Sequence, residues 1–213
     1  VLYDRYSESR EEIGAKLAKD QSAELITPYD DERVIAGQGT AGLEIAKQLN
    51  SLERELDMFF CCCGGGGLMA GTALALSEHF RQAKLYTVEP DGLDDTARSL
   101  ATGKRQTNDP SARSVCDAIV TPSPGLLTFP IVKSKAAGGK VVTDEEALSA
   151  MKTAWDYFKL TVEPGGAVAL AASLKQKGIV SHTGDKRKTV VAILSGGNCD
   201  QDIFAKALAG PTL

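Results

Sequence analysis

A surplus of positive charge is missing from this sequence: 24 Lys and Arg stand against 28 Asp and Glu, a formal net charge of -4. No basic face is available to neutralise a phosphodiester backbone, so nucleic acid is not expected as a partner. Long apolar runs are missing as well. None approaches the ~20 residues of a membrane span, and the start carries no basic stretch followed by an apolar core. No membrane partner is expected, and the location is expected to be cytoplasmic. Cysteine is scarce and badly spaced for staples or zinc, because three of the five are the adjacent Cys61, Cys62 and Cys63. Reduced, partly buried thiols are the plain reading. Repeats and low-complexity tracts are absent, and 43% hydrophobic with 24% charged residues excludes a disordered chain. An initiating Met is missing too. The chain opens on Val1-Leu2-Tyr3, which reads as the inside of a strand, so a preceding segment is expected to be lacking.

What is present alternates strands with helices. Ser9 with Glu12 makes a capping box, and Ile13 and Leu17 lie on one face of the helix it opens. Residues 23–28 read as extended, and Tyr29-Asp30-Asp31 reads as a polar turn. Gly37-Gln38-Gly39-Thr40 leads into a helix over 41–49. Residues 58–63 are an unbroken apolar run, 68–80 are helical and 84–88 are extended, which makes one βαβ unit. A run without polar alternation is what a parallel strand covered on both faces requires. Residues 91–123 are polar, with a short helix near 94–100. Thr143 and Glu146 form a second capping box for a helix through Leu160, with Leu148, Met151, Trp155 and Phe158 as its core stripe. A helix over 167–176 and a buried strand over 189–194 follow. The fold class is α/β: an open, twisted, mainly parallel sheet with helices on both faces.

Gly64, Gly65, Gly66 and Gly67 fall between a buried strand and a helix. Without Cβ atoms, their amides can converge with the positive end of the helix dipole on one anion, best matched to a phosphate. A tight turn with no ligand is the structural alternative. The ligand is open at this point. Gly65-x-Gly67-x-x-Ala70, with Glu89 ending the next strand, also fits a loose dinucleotide fingerprint and a nicotinamide enzyme.

Five strings occur in order: Val34-Ile35-Ala36-Gly37-Gln38-Gly39-Thr40, the loop at 64–68, Val88-Glu89-Pro90, Glu163-Pro164-Gly165-Gly166-Ala167, and Leu194-Ser195-Gly196-Gly197-Asn198. Together they resemble the serine/threonine dehydratase and serine racemase family, pyridoxal 5'-phosphate enzymes of fold type II. The resemblance runs over essentially the whole chain. It implies that Gly64, Gly65, Gly66, Gly67 and Leu68 hold the cofactor's phosphate. Ser195, in its turn with Gly196, would meet the pyridine nitrogen. Glu163 would lie near the ring, although alone it could be a helix-start carboxylate. Arg10 would approach the substrate carboxylate, although alone it could be a solvated charge. Glu89, Asp95 and the carbonyl of Leu93 match a divalent cation site for Mg2+, Mn2+ or Ca2+, or an acidic turn that binds nothing.

The same resemblance marks what is not here. The family's Schiff-base lysine sits in a Ser/Thr-x-Lys-x-Arg-Gly-Ala-like segment, and no lysine of this chain, among them Lys16, Lys19, Lys84, Lys104 and Lys188, has that context. The Ser-x-Gly-Asn-His-like substrate loop is absent too. That lysine anchors the cofactor and takes the substrate's α-proton, so no catalytic residue is assigned and this chain alone is expected to be inactive. An incomplete sequence and a short product needing a partner chain both account for this. Residues 1–30 read as the remnant of a small substrate-closing domain and 31–213 as the large cofactor-binding domain. Exposed apolar surface and poor solubility are expected. With the chain ending soon after Ser195, no appended regulatory domain is expected, and the catabolic or racemase-like branch is the expected one. The implied activity is β-elimination of L-serine or L-threonine-type substrates to a 2-oxo acid and ammonia. Racemisation, a non-catalytic binding remnant and one chain of a split enzyme stay open, and a homodimer is expected at full length.

Overall fold

The sheet begins with Met58–Cys62 (β1), whose five residues are all buried. In the computed structural model, which describes residues 1–4, 8–176 and 188–212, β1 pairs in parallel with Lys84–Pro90 (β2), Met58 facing Lys84 and Cys62 facing Val88. Gly138–Val142 (β3) continues the sheet beyond β2, with Tyr86 opposite Gly138, and Val190–Ala192 (β4) adds to the other side of β1, with Phe60 opposite Ala192. The order is β3-β2-β1-β4 and every pairing is parallel. The unbroken apolar run is explained by a core on each side. Met58, Phe60 and Cys62 enter one buried cluster, and Phe59, Cys61 and Cys63 enter the other.

Helices Arg10–Asp20 (α1), Glu32–Ser51 (α2), Gly67–His79 (α3) and Asp95–Thr102 (α4) come first along the chain. Thr128–Lys135 (α5), Asp144–Phe158 (α6), Pro164–Leu174 (α7) and Gln201–Ala209 (α8) follow. α2 and α3 cover the face holding Phe59, while α6, α7 and α8 cover the face holding Phe60.

Several expectations change. Val1, Leu2 and Tyr3 form no strand; Val1 and Leu2 are almost fully exposed. α2 does not begin after the glycines. It starts at Glu32, because the Asp31 side chain accepts from the amides of Arg33 and Val34 and caps the helix there. Gly39 and Gly42 are then contact residues inside a helix. A Cβ at Gly42 would lie 2.8 Å from the Thr72 carbonyl oxygen, and one at Gly71 of α3 would meet the Ile35 carbonyl. Gly37 has open space around it, and nothing in its surroundings requires glycine. The α6 stripe is core only in its first half: Leu148 and Met151 are buried, whereas Phe158 is 59% exposed and Trp155 rests edge-on against Phe204. β4 is half-buried, as the sheet's outer strand, and is shorter than 189–194. α5, β3 and α8 are not among the elements expected from the sequence. The stretch 177–187, within the expected large domain, lies outside the described residues.

Candidate active site

The sheet order fixes where a ligand can sit. From β1 the chain steps outward to β2 and β3, then crosses back to lay β4 on the other flank of β1. Two loops therefore leave the carboxyl ends of β1 and β4 in opposite directions, and the crevice between them is the ligand position of open α/β sheets. The glycine loop follows β1 and the Ser195 turn follows β4, so both open onto that crevice. A cavity of about 420 Å³ lies there, lined by residues 64–68, Cys62, Glu163, Ser195 and residues 117–121, with Arg10, Pro28 and Tyr29 at its side.

The loop is shaped to offer amides. The Gly65 carbonyl accepts from Thr128 Oγ1 at 2.5 Å and from the Gly125 amide at 3.2 Å. That pins it to the outer side. No amide of residues 64–68 donates to another group of the described residues, and Gly66, at φ +92°, turns the chain into α3. The first turn of α3 holds no acidic residue to offset its dipole. The absent Cβ atoms are a packing requirement: one on Gly64 would lie 2.9 Å from the Ile119 carbonyl oxygen, and one on Gly65 would enter the Tyr29 ring. These free donors and the dipole fit a phosphate group.

Across the cavity the Ser195 turn is held from two directions. Glu163, the residue before α7, donates its amide to the Gly196 carbonyl at 3.0 Å and accepts from the Asn198 amide at 3.1 Å. A Cβ on Gly196 would collide with the Glu163 carboxylate. Glu163 is thus both a helix-start carboxylate and a lining residue. Ser195 Oγ is 3.2 Å from Cys62 Sγ. Arg10 opens α1, donates to Glu11 Oε1 at 2.9 Å and reaches the cavity with its side chain about half exposed. Burial pushes the Tyr29 phenol up despite the Arg10 charge.

Glu89, near the carboxyl end of β2, and Leu93 and Asp95 after it are not among the residues lining this cavity. Glu89 is fully buried and its oxygens accept from the amides of Thr96, at 2.8 Å, and Ala97, at 2.7 Å. It closes the amino end of α4 and is not free to grip a ribose. The nicotinamide alternative loses its carboxylate. Burial, then the Asp95 charge, pushes Glu89 up to about 8. Burial likewise pushes Asp95 up to about 6. Asp95 Oδ1 accepts from Asn108 at 2.5 Å, while Oδ2 is buried and has no partner among the described residues. No cluster of three His, Cys, Asp or Glu side chains occurs among the described residues. A hard cation would find Asp95 Oδ2 open, whereas both Glu89 oxygens already accept amides.

Four contributors to the site went unnoticed in the sequence: Cys62, Tyr29, Thr128 and the segment through Ile119. Only Cys62 carried a signal, since strand parity puts it on the face opposite Cys61 and Cys63. No lysine of the described residues lines the cavity.

The family model described as pyridoxal-phosphate dependent enzyme matches residues 1–196. Serine racemase of Dictyostelium discoideum is 40% identical over 204 residues, 94% of this chain and 60% of that protein. L-threo-3-hydroxyaspartate ammonia-lyase of Pseudomonas sp is 38% identical over 212 residues, 99% of this chain and 63% of that protein. Among solved structures, a threonine deaminase from T.th. superposes with a TM-score of 0.83 at 36% identity, covering 90% of this chain and 63% of that one. Maize serine racemase gives 0.83 at 33% identity, covering 98% and 61%. The chain therefore spans less than two thirds of the length of each of these proteins.

Proposed function

The chain belongs to the pyridoxal-phosphate-dependent enzyme family, and from that premise we propose that its cavity is the cofactor site of an ammonia-lyase for L-serine and L-threonine-type substrates. The proposed reaction removes the Cα proton and expels the β-hydroxyl, and the product hydrolyses to a 2-oxo acid and ammonia. Pyridoxal phosphate, when bound, supplies the electron sink. The rest falls to the protein. The amides of residues 64–68 and the α3 dipole hold the phosphate. Ser195 presents a neutral hydroxyl to the ring nitrogen and leaves it largely unprotonated, and Glu163 with Gly196 keeps that hydroxyl in place. Arg10, at the cavity's side on α1, is placed to exchange Glu11 for the substrate carboxylate. Residues 1–30 act as part of the closing domain and 31–213 as the cofactor-binding domain, within a cytoplasmic homodimer. Glu89, Asp95 and the Leu93 carbonyl hold Mg2+, Mn2+ or Ca2+ as a structural or activating ion. Racemisation of serine or hydroxyaspartate is a second reading, favoured by the serine racemase similarity at 40% identity.

One observation carries the reading: five amides that donate to no group of the described residues and the Ser195 hydroxyl line a single cavity. That no lysine of the described residues lines the cavity supports a further part of it, that this chain alone binds the cofactor without turnover. Borohydride reduction of the chain with pyridoxal phosphate, followed by peptide mapping, tests that part, together with 2-oxo acid release from L-serine. The expectation is no dominant labelled lysine and a rate equal to that of free cofactor. A single labelled lysine with catalysed release would contradict it.

A further inference from the structure

Three consecutive thiols stand at the carboxyl end of β1 and just past it, and one of them faces the cavity. Cys61 and Cys63 pack into the cluster beside α2 and α3, while Cys62 joins the opposite cluster with Met58 and Phe60. Cys63 is shut in. Burial, then the Glu89 charge, pushes its thiol well above the ordinary range, and its sulfur meets Thr96 Oγ1 at 3.6 Å. Cys62 instead lines the cavity with its Sγ 3.2 Å from Ser195 Oγ, and either atom can donate.

Sheet register brings the two together. Phe60 lies opposite Ala192 in the parallel pair of β1 and β4, so Cys62 and Leu194, each two residues further on, leave the sheet side by side. Ser195 comes next. Glu163 fixes the backbone of that turn through Gly196 and Asn198, which leaves only the rotation of the Ser195 hydroxyl to be set. Cys62 is the one partner of that hydroxyl among the described residues.

We infer that Cys62 is a positioning residue whose thiol sets the rotation of the Ser195 hydroxyl toward the cofactor's ring nitrogen. This rests on the cofactor reading above. A serine hydroxyl has one proton and two lone pairs, and a thiol is a weak donor and a weak acceptor. When the hydroxyl donates its proton to the ring nitrogen, its lone pairs are left for the S–H of Cys62. Such a chain polarises each member and strengthens the bond to the nitrogen. Without the thiol, the hydroxyl is free to turn among its staggered positions.

Binding of 4'-deoxypyridoxine 5'-phosphate to the 213-residue chain tests this. The analogue has no aldehyde, so it reports ring and phosphate contacts without bonding to any lysine. Affinity is read by calorimetry, and the state of the ring nitrogen by the analogue's absorbance across pH. Cys62→Ala is expected to weaken binding about three- to tenfold and to move the pH at which the bound nitrogen protonates. Cys62→Ser, which keeps a donor and an acceptor, is expected to stay within about twofold of the parent. In a Ser195→Ala background, Cys62→Ala should change neither reading. Should Cys62→Ala fail to fold, Cys62→Val fills the space without the proton and is read the same way. An unchanged affinity and pH profile overturns the inference and leaves the cofactor reading standing, as does an equal loss in the Ser195→Ala background. No binding to the parent chain overturns both.

Discussion

Glycines and one serine mark this site in the sequence, because a backbone that must approach a ligand or a neighbour without a Cβ requires glycine wherever it occurs. Gly64, Gly65 and Gly66 are each needed for a contact with Ile119, Tyr29 or Thr128, so the loop was legible before the contacts were. Cys62 was not, since its meeting with Ser195 spans 133 residues of chain and depends on strand register. Glu163 was placed near the ring; its grip on Gly196 and Asn198 was invisible for the same reason. Asp95 makes a prediction at this scale. Its buried Oδ2 has no partner among the described residues, so a divalent cation that binds the folded chain there should stabilise it by linkage. Millimolar Mg2+ or Ca2+ is expected to raise the thermal midpoint of the parent by a few degrees. The Asp95→Asn chain should show no such rise. Equal shifts in both proteins, by differential scanning fluorimetry, would remove Glu89, Leu93 and Asp95 as ligands.

Elements were legible where local pattern and tertiary environment agree. β1 and β2 read as buried strands, and the Thr143 capping box opens α6 as expected. Pattern and packing part company at α2, where Gly37 and Gly39 look like a loop and are helical. The intrinsic penalty of glycine in a helix is outweighed by the close approach it permits between α2 and α3. β3 was missed because Gly138, Gly139 and Lys140 have the composition of a turn; Gly139 is required by the Ala97 side chain of α4 against it. Gly71→Ala tests the α2–α3 contact. Its methyl group would meet the Ile35 carbonyl and lie 2.6 Å from the Gly39 nitrogen, so a loss of about 1–3 kcal/mol is expected in urea unfolding. A stability equal to that of the parent would mean that the two helices are not held that closely.

At the scale of the molecule, the parallel sheet separates two cores and places the glycine loop and the Ser195 turn at one end of it, at the point where strand order reverses. The fold class was legible from the alternation of strands and helices and the unbroken apolar run, whereas the reversal itself was not, because it depends on which side of β1 receives β4. Apolar side chains remain open to solvent at the end of α6 and beyond it, with Tyr157 74% and Leu160 47% exposed. No helix among the described residues is long and apolar enough to cross a membrane. The central claim is that residues 64–68 and Ser195 form one cofactor site, and a crystal structure of the chain with 4'-deoxypyridoxine 5'-phosphate tests it most directly. The account predicts the phosphate within hydrogen-bond reach of the five amides and the ring nitrogen against Ser195 Oγ. A phosphate bound elsewhere, or a ring whose nitrogen points away from Ser195, would contradict it.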